Sequence, residues 1–182
     1  FSATFGGGLA DRATGVSVDA AGDAWITGWT RSIDFATTDS AYSRTLAGGR
    51  DAFVIRLRPN GTALDFGTLI GGSSDDEAAD IALDSAGNVL ITGRTTSSNF
   101  PVQPAGMTSP VGTWFVTKLV WPPSTSLAYS RYLGVSNDLG FGRTIAVDAA
   151  GVAYVAGTTS SIAFPISSNG AAIGPRGGFD LA

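Results

Sequence analysis

Three aspartates recur at nearly one spacing: Asp19, Asp84 and Asp148, 65 and 64 residues apart, each followed three positions later by Gly22, Gly87 or Gly151. Repeated carboxylates are hard oxygen donors, so the first chemistry to weigh is calcium binding. An Asp-x-x-Gly pattern lacks the alternating carboxylates of an EF-hand loop, whereas it fits a tight turn: the aspartate accepts a nearby backbone N–H and the glycine takes a left-handed conformation. A turn role is therefore expected for all six residues, and no metal. A second acidic set comprises Asp75, Asp76 and Glu77, with Asp11 and Asp138 near the equivalent positions. A general acid/base pair requires a defined carboxyl separation, which a sequence does not supply. A solvated loop, or an aspartate bonded to neighbouring backbone, is the plainer reading. Asp11, Asp75 and Asp76 stand as ligand-binding candidates, and no catalytic residue is assigned.

The chain of 182 residues contains no histidine and no cysteine, which removes Ser-His-Asp and Cys-His nucleophiles, thiol redox chemistry and thiolate or imidazole zinc sites. It carries 11 basic and 15 acidic residues, net −4, with Lys118 the single lysine. No basic face for a phosphate backbone is expected, which argues against nucleic acid as a partner. No apolar run approaches the roughly 20 residues of a spanning helix, so no membrane insertion is expected. The 43% hydrophobic and 14% charged content belongs to a globular chain. No cofactor is expected.

Aromatic residues offer a different chemistry, because a flat ring can cover a sugar face. Trp25 and Trp114 lie in strand patterns and are expected in the core, whereas Trp29 and Trp121 lie at strand ends and are freer. Three connections, Thr30 to Arg50, Thr95 to Thr113 and Thr159 to Gly177, run 19 to 21 residues each. Connections of that length usually cover something or bind something. Arg31, Tyr42, Arg44 and Arg94 are the ligand candidates there, with Phe35, Phe100 and Phe164 as pins that would hold the connections down.

The elements that position these residues follow from the repeat. Val18-Asp19-Ala20-Ala21-Gly22 leads to Ile26-Thr27-Gly28-Trp29-Thr30; Leu83 to Gly87 leads to Ile91-Thr92-Gly93-Arg94-Thr95; Val147 to Gly151 leads to Val155-Ala156-Gly157-Thr158-Thr159. The chain reads as about 2.8 copies of one unit, 1–65, 66–129 and a truncated 130–182. Apolar residues alternate at period two around each Asp-x-x-Gly turn, and again through Phe53, Ile55 and Leu57 before Pro59-Asn60-Gly61 and Leu64 to Ile70, giving four strands per unit. One or two helical turns are expected only at Ser40 to Leu46, capped by Asp39. Gly-punctuated four-stranded repeats of this length predict an all-β propeller of antiparallel blades, here a partial ring.

The combination Gly71-Gly72-Ser73-Ser74-Asp75-Asp76, Ile81 to Asn88, Ile91 to Thr95, Asn99-Phe100-Pro101 and Gly49 to Val54 resembles the bacterial SBBP β-propeller repeat. That resemblance implies a propeller in secreted or surface-attached proteins, localised outside the cell or in the periplasm, and it brings no general catalytic residue set. The expected function is a non-enzymatic, rigid platform for protein or glycan contacts at the bacterial surface. Further blades of a longer chain, or other copies or subunits, are expected to cover the open blade faces. A carboxylate-based glycan-cleaving propeller and a self-assembling fibre subunit are the alternatives.

Overall fold

A computed structural model of the chain describes residues 2–105, 113–121, 126–135, 138–162, 164 and 180–181. It contains three antiparallel sheets in series. The first has the order β1 (Asp11–Val18), β2 (Ala24–Thr30), β3 (Asp51–Leu57), β4 (Leu64–Ile70). The second repeats it with β5 (Asp76–Leu83), β6 (Val89–Thr95), β7 (Thr113–Leu119) and β8 (Leu127–Leu133). In the third, β10 (Ala153–Thr159) lies between β9 (Phe141–Val147) and β11 (Asp180–Leu181). Gly178, Phe179 and most of the 159–177 connection lie outside the described residues.

Cutting the repeat at 65/66 divides Leu64–Ile70 from the sheet it completes, since β4 pairs with β3 along its length. A periodic pattern fixes the length of a unit but not its phase; hydrogen bonding decides where a sheet begins. The third strands β3 and β7 are inaccessible at nearly every position, which suits their near-continuous apolar sequence.

The sheets stack face to face. Trp25, Val54 and Phe66 of the first sheet form one cluster with Ile81, Ile91 and Phe115 of the second. Leu90 and Val116 of the second pack against Ile145 and Val155 of the third. A ring the size of Trp25, 1% exposed, contributes on the order of 4 kcal/mol at about 25 cal/mol per Å² of apolar surface. Trp25 and Trp114 are both core residues. Trp121 is not the freer ring expected of a strand end, because its centroid lies 5.1 Å from that of Trp25 and 5.0 Å from that of Phe66, filling the first interface.

A further expectation changes. Ser40 to Leu46 forms turns and bends without a helix. Its backbone is engaged elsewhere: Thr38 N–H donates to Gly67 O at 3.0 Å, and Leu69 N–H donates to Ser43 O at 3.0 Å. The segment thus covers the outer edge of β4, satisfying groups that a helix would leave open. Gln103 and Ser130 exchange two backbone bonds of 3.0 Å on the edge of β8 in the same way. The first two long connections are therefore edge covers, pinned by Phe35 on Phe53 at 4.7 Å and Phe100 on Phe115 at 4.6 Å. Residues 2–10 form no strand, and Phe5 packs edge-on against Phe35.

Candidate functional site

Each first strand carries an irregularity at the same repeat position. β1 is bulged between Ala13 and Gly15, β5 between Ala78 and Asp80, and β9 opposite the Ala156–Gly157 step, so Thr14, Ala79 and Arg143 are the extra residues. A bulge bends its strand and re-aims a side chain. It also brings two backbones together: a Cβ on Gly28 would lie 1.8 Å from Arg12 O, on Gly93 2.0 Å from Glu77 O, and on Gly157 2.3 Å from Phe141 O. The glycine of the recurring Thr-Gly, Thr-Gly and Ala-Gly pairs is thus the partner of the bulge.

The three bulged residues line one cavity of about 370 Å³ that straddles all three sheets. Arg12, Glu77 and Phe141 line it as well, together with Trp29 and Arg94 at the ends of the second strands. The Arg143 guanidinium sits 3.9 Å over the Phe141 ring. Glu77 pairs with Arg50, which also bonds Asp75 at 2.8 Å and lies 5.1 Å over Trp29. Thr14 Oγ1 donates across the sheet interface to Ala78 O at 2.8 Å, and Asp80 Oδ2 accepts from Thr144 Oγ1 at 2.7 Å and Ile145 N–H at 3.0 Å. These cross-sheet bonds fix the walls.

The repeated aspartates go elsewhere. Asp19 Oδ1 accepts from Ala21 and Asp23 N–H, Asp84 Oδ1 from Ala86 and Asn88, and Asp148 Oδ1 from Ala150 and Val152. Gly22, Gly87 and Gly151 complete these turns at φ of +84°, +81° and +82°. A third-strand cation reaches the turn in the first two sheets: Arg56 bonds Asp19 at 3.1 Å and Lys118 bonds Asp84 at 2.7 Å. Burial alone would raise the Asp84 carboxyl, but the bonds from Lys118, Asn88 and Ala86 hold it at about 2.

Asp11, Asp76 and Asp138 share another job. Asp11 accepts from Gly7 N–H at 2.7 Å and from the Thr30 and Ser32 hydroxyls; Asp76 accepts from Gly72 N–H and Ser97 Oγ, both at 2.7 Å. Asp138 accepts from Gly140 N–H at 2.9 Å, Thr159 Oγ1 at 2.6 Å and Ser160. Each clamps a glycine-bearing loop to the end of the second strand. Burial raises Asp76, whereas at Asp138 the bonds from Thr159, Ser160 and Gly140 outweigh burial and lower it.

Of the residues expected to bind a ligand, Arg94 lines the cavity. Asp11 and Asp76 are clamps, Asp75 is held by Arg50, and Arg44 pairs with Asp39 on the edge cover that also carries Tyr42. Arg31 is exposed just past β2 and lies outside the cavity lining. The sequence reading missed Arg12, Phe141 and Arg143. Their signal was available as variation within the repeat: positions 12, 77 and 141 read Arg, Glu and Phe, and positions 14, 79 and 143 read Thr, Ala and Arg, while Asp19, Asp84 and Asp148, Gly28, Gly93 and Gly157, and Thr30, Thr95 and Thr159 recur.

Asp51 is a buried carboxyl that the sequence reading did not single out. It accepts from Ala47 N–H at 2.9 Å, and its Oδ1 has no hydrogen-bond partner. Burial, reinforced by repulsion from Asp76, pushes it up to about 6. The folded chain therefore keeps a proton that the unfolded chain releases near pH 4, so this contribution to stability is complete below pH 4 and is lost as pH rises through 6. Asp51→Asn is expected to gain on the order of 2 kcal/mol over the parent at pH 7 and little at pH 4 in urea titrations. An equal difference at both pH values would refute this assignment.

A family model described as the beta-propeller repeat, SBBP, matches residues 65–101 and again residues 128–163. Each match starts in the last strand of one sheet and runs through the first two strands of the next, and so contains a clamp aspartate, a bulge and an Asp-x-x-Gly turn. No curated protein matches the chain.

Proposed function

From a chain that carries the SBBP β-propeller repeat at two places, we propose a non-catalytic binding module: a segment of a propeller that acts as a rigid platform at the bacterial surface, outside the cytoplasm, for protein or glycan contacts. The observation that carries this reading is the division of labour within the repeat. Recurring residues build the turns, the clamps and the glycines opposite the bulges, whereas the cavity walls at positions 12, 77 and 141 and at the bulges differ from sheet to sheet. A ligand site is where a repeated scaffold gains from breaking its own symmetry. Non-catalytic action is supported by the placement of the two carboxyls raised by burial, Asp51 and Asp76, which are 1% and 0% exposed and lie outside the cavity lining.

Glycan and peptide arrays probed with the 182-residue chain test the reading. Ala79→Trp, which fills the cavity from the bulge of β5, is expected to abolish the captured signal while leaving the thermal transition in place. Unchanged capture by a folded Ala79→Trp chain would move the binding face elsewhere, and catalytic turnover of a captured ligand would replace the platform with the glycan-cleaving alternative.

Assembly is the second reading, favoured by one comparison within the molecule. Ile81 and Ile145 are 4% and 6% exposed under the preceding sheet, and the equivalent Val16 is 65% exposed. At the opposite face Trp25 and Leu90 are 1% and 0% exposed, and the equivalent Tyr154 is 58% exposed. Both outer faces thus present the surface that other sheets cover. Light scattering distinguishes the outcomes: an oligomer or fibre supports assembly of copies, and a stable monomer excludes it.

A further inference from the structure

We propose that the cavity between the sheets binds a polycarboxylate, with Arg12, Arg94 and Arg143 taking its carboxylate groups between them; this rests on the binding-module reading above. The sheets supply one arginine apiece: Arg12 from β1, Arg94 from β6 and Arg143 from β9. Arg44, Arg50, Arg56, Arg58 and Lys118 all pair with carboxylates of this chain, although the chain is acidic overall. Among the described residues, none of the three cavity arginines has such a partner. Three guanidinium groups therefore line one opening whose single carboxylate, Glu77, is already engaged by Arg50, in a protein whose net charge is −4.

The geometry favours planar acceptors. The central carbon of the Arg143 guanidinium lies 3.9 Å from the Phe141 ring centroid, a cation–π contact that uses no N–H donor and restricts the side chain. A guanidinium held in this way is a planar fork of donors, matched to the two oxygens of a carboxylate. Arg94 Nε is buried and has no acceptor in the chain. Ala79 gives the opening its room, and the Thr14 hydroxyl is occupied by Ala78 O. A volume of about 370 Å³ is at the small end of ligand pockets, enough for a tricarboxylate or for one or two sugar rings. The recognised chemistry, two or more carboxylates spanning the sheets, is common to a free small acid and to a uronic-acid saccharide.

Isothermal titration of the 182-residue chain with citrate, digalacturonate, cellobiose and inorganic sulfate tests the inference. One equivalent of citrate or digalacturonate is expected to bind, more weakly as salt is raised. Binding of citrate alone points to a free acid, and binding of digalacturonate alone to an acidic saccharide; either supports the inference. Arg94→Met and Arg143→Met are each expected to weaken binding about 10- to 100-fold, Arg94→Lys to restore part of the loss, and Arg44→Met, outside the cavity, to change nothing. Cellobiose or sulfate binding as tightly as the polycarboxylates would overturn the inference, as would Met variants that melt normally and bind undiminished. Array capture that Ala79→Trp abolishes, without any polycarboxylate binding, would overturn this inference alone; capture that Ala79→Trp leaves intact would remove the cavity reading beneath it.

Discussion

Gly93→Ala is expected to destabilise the chain by about 3 kcal/mol or more, and to leave much of it unfolded at 37 °C. The added methyl would lie 2.0 Å from Glu77 O and 2.8 Å from the Ala78 Cα, both backbone atoms of the bulged strand. A flexible side chain can turn away from such a contact, but a paired backbone cannot move without breaking the β5–β6 register. Gly87→Ala serves as the contrast. Gly87 sits at φ +81° with nothing within 4 Å of an added Cβ, so only the left-handed conformation is penalised, by about 1 kcal/mol. Urea titration of both variants checks the pair. Similar losses at the two positions would mean that the bulge does not impose the glycine.

The second large effect concerns stacking. Ile81→Ala is expected to cost about 2–5 kcal/mol, because the side chain is 4% exposed in the cluster that joins the first two sheets. Val16→Ala, at the equivalent position one repeat earlier, is expected to change stability by less than about 0.5 kcal/mol. Val16 is 65% exposed, and no described sheet lies over it. In an assembled state the two positions become alike, so the Val16 variant measured across a concentration series also reports association. A full-sized loss at Val16 in dilute monomer would contradict the exposed first face.

The same comparison shows why the internal repeat was more informative than any single motif. Asp19, Asp84 and Asp148 identified their hairpins because a tight turn is a local problem: a carboxylate, two amides and a left-handed glycine within five residues. The clamp aspartates were seen as a set, but their partners were not, since Thr30 and Ser32 lie about 20 residues from Asp11. The Thr-Gly pairs were visible as a pattern with no stated cause. Their cause is a bulge on another strand, and a one-residue insertion shifts the phase of alternation in its own strand without indicating which strand lies opposite.

Local chemistry in the sequence therefore determined the all-β character, the 64–65 residue period, the hairpin turns and the absence of thiol and imidazole chemistry. Tertiary structure decided which strand closes which sheet, that the first two long connections cover edges, that Asp51 is a buried acid, and that Arg12, Arg94 and Arg143 line one cavity. The physical reason is range. Turns and alternation are fixed by neighbours along the chain, whereas burial and the meeting of like charges depend on which faces the stacking of sheets brings together.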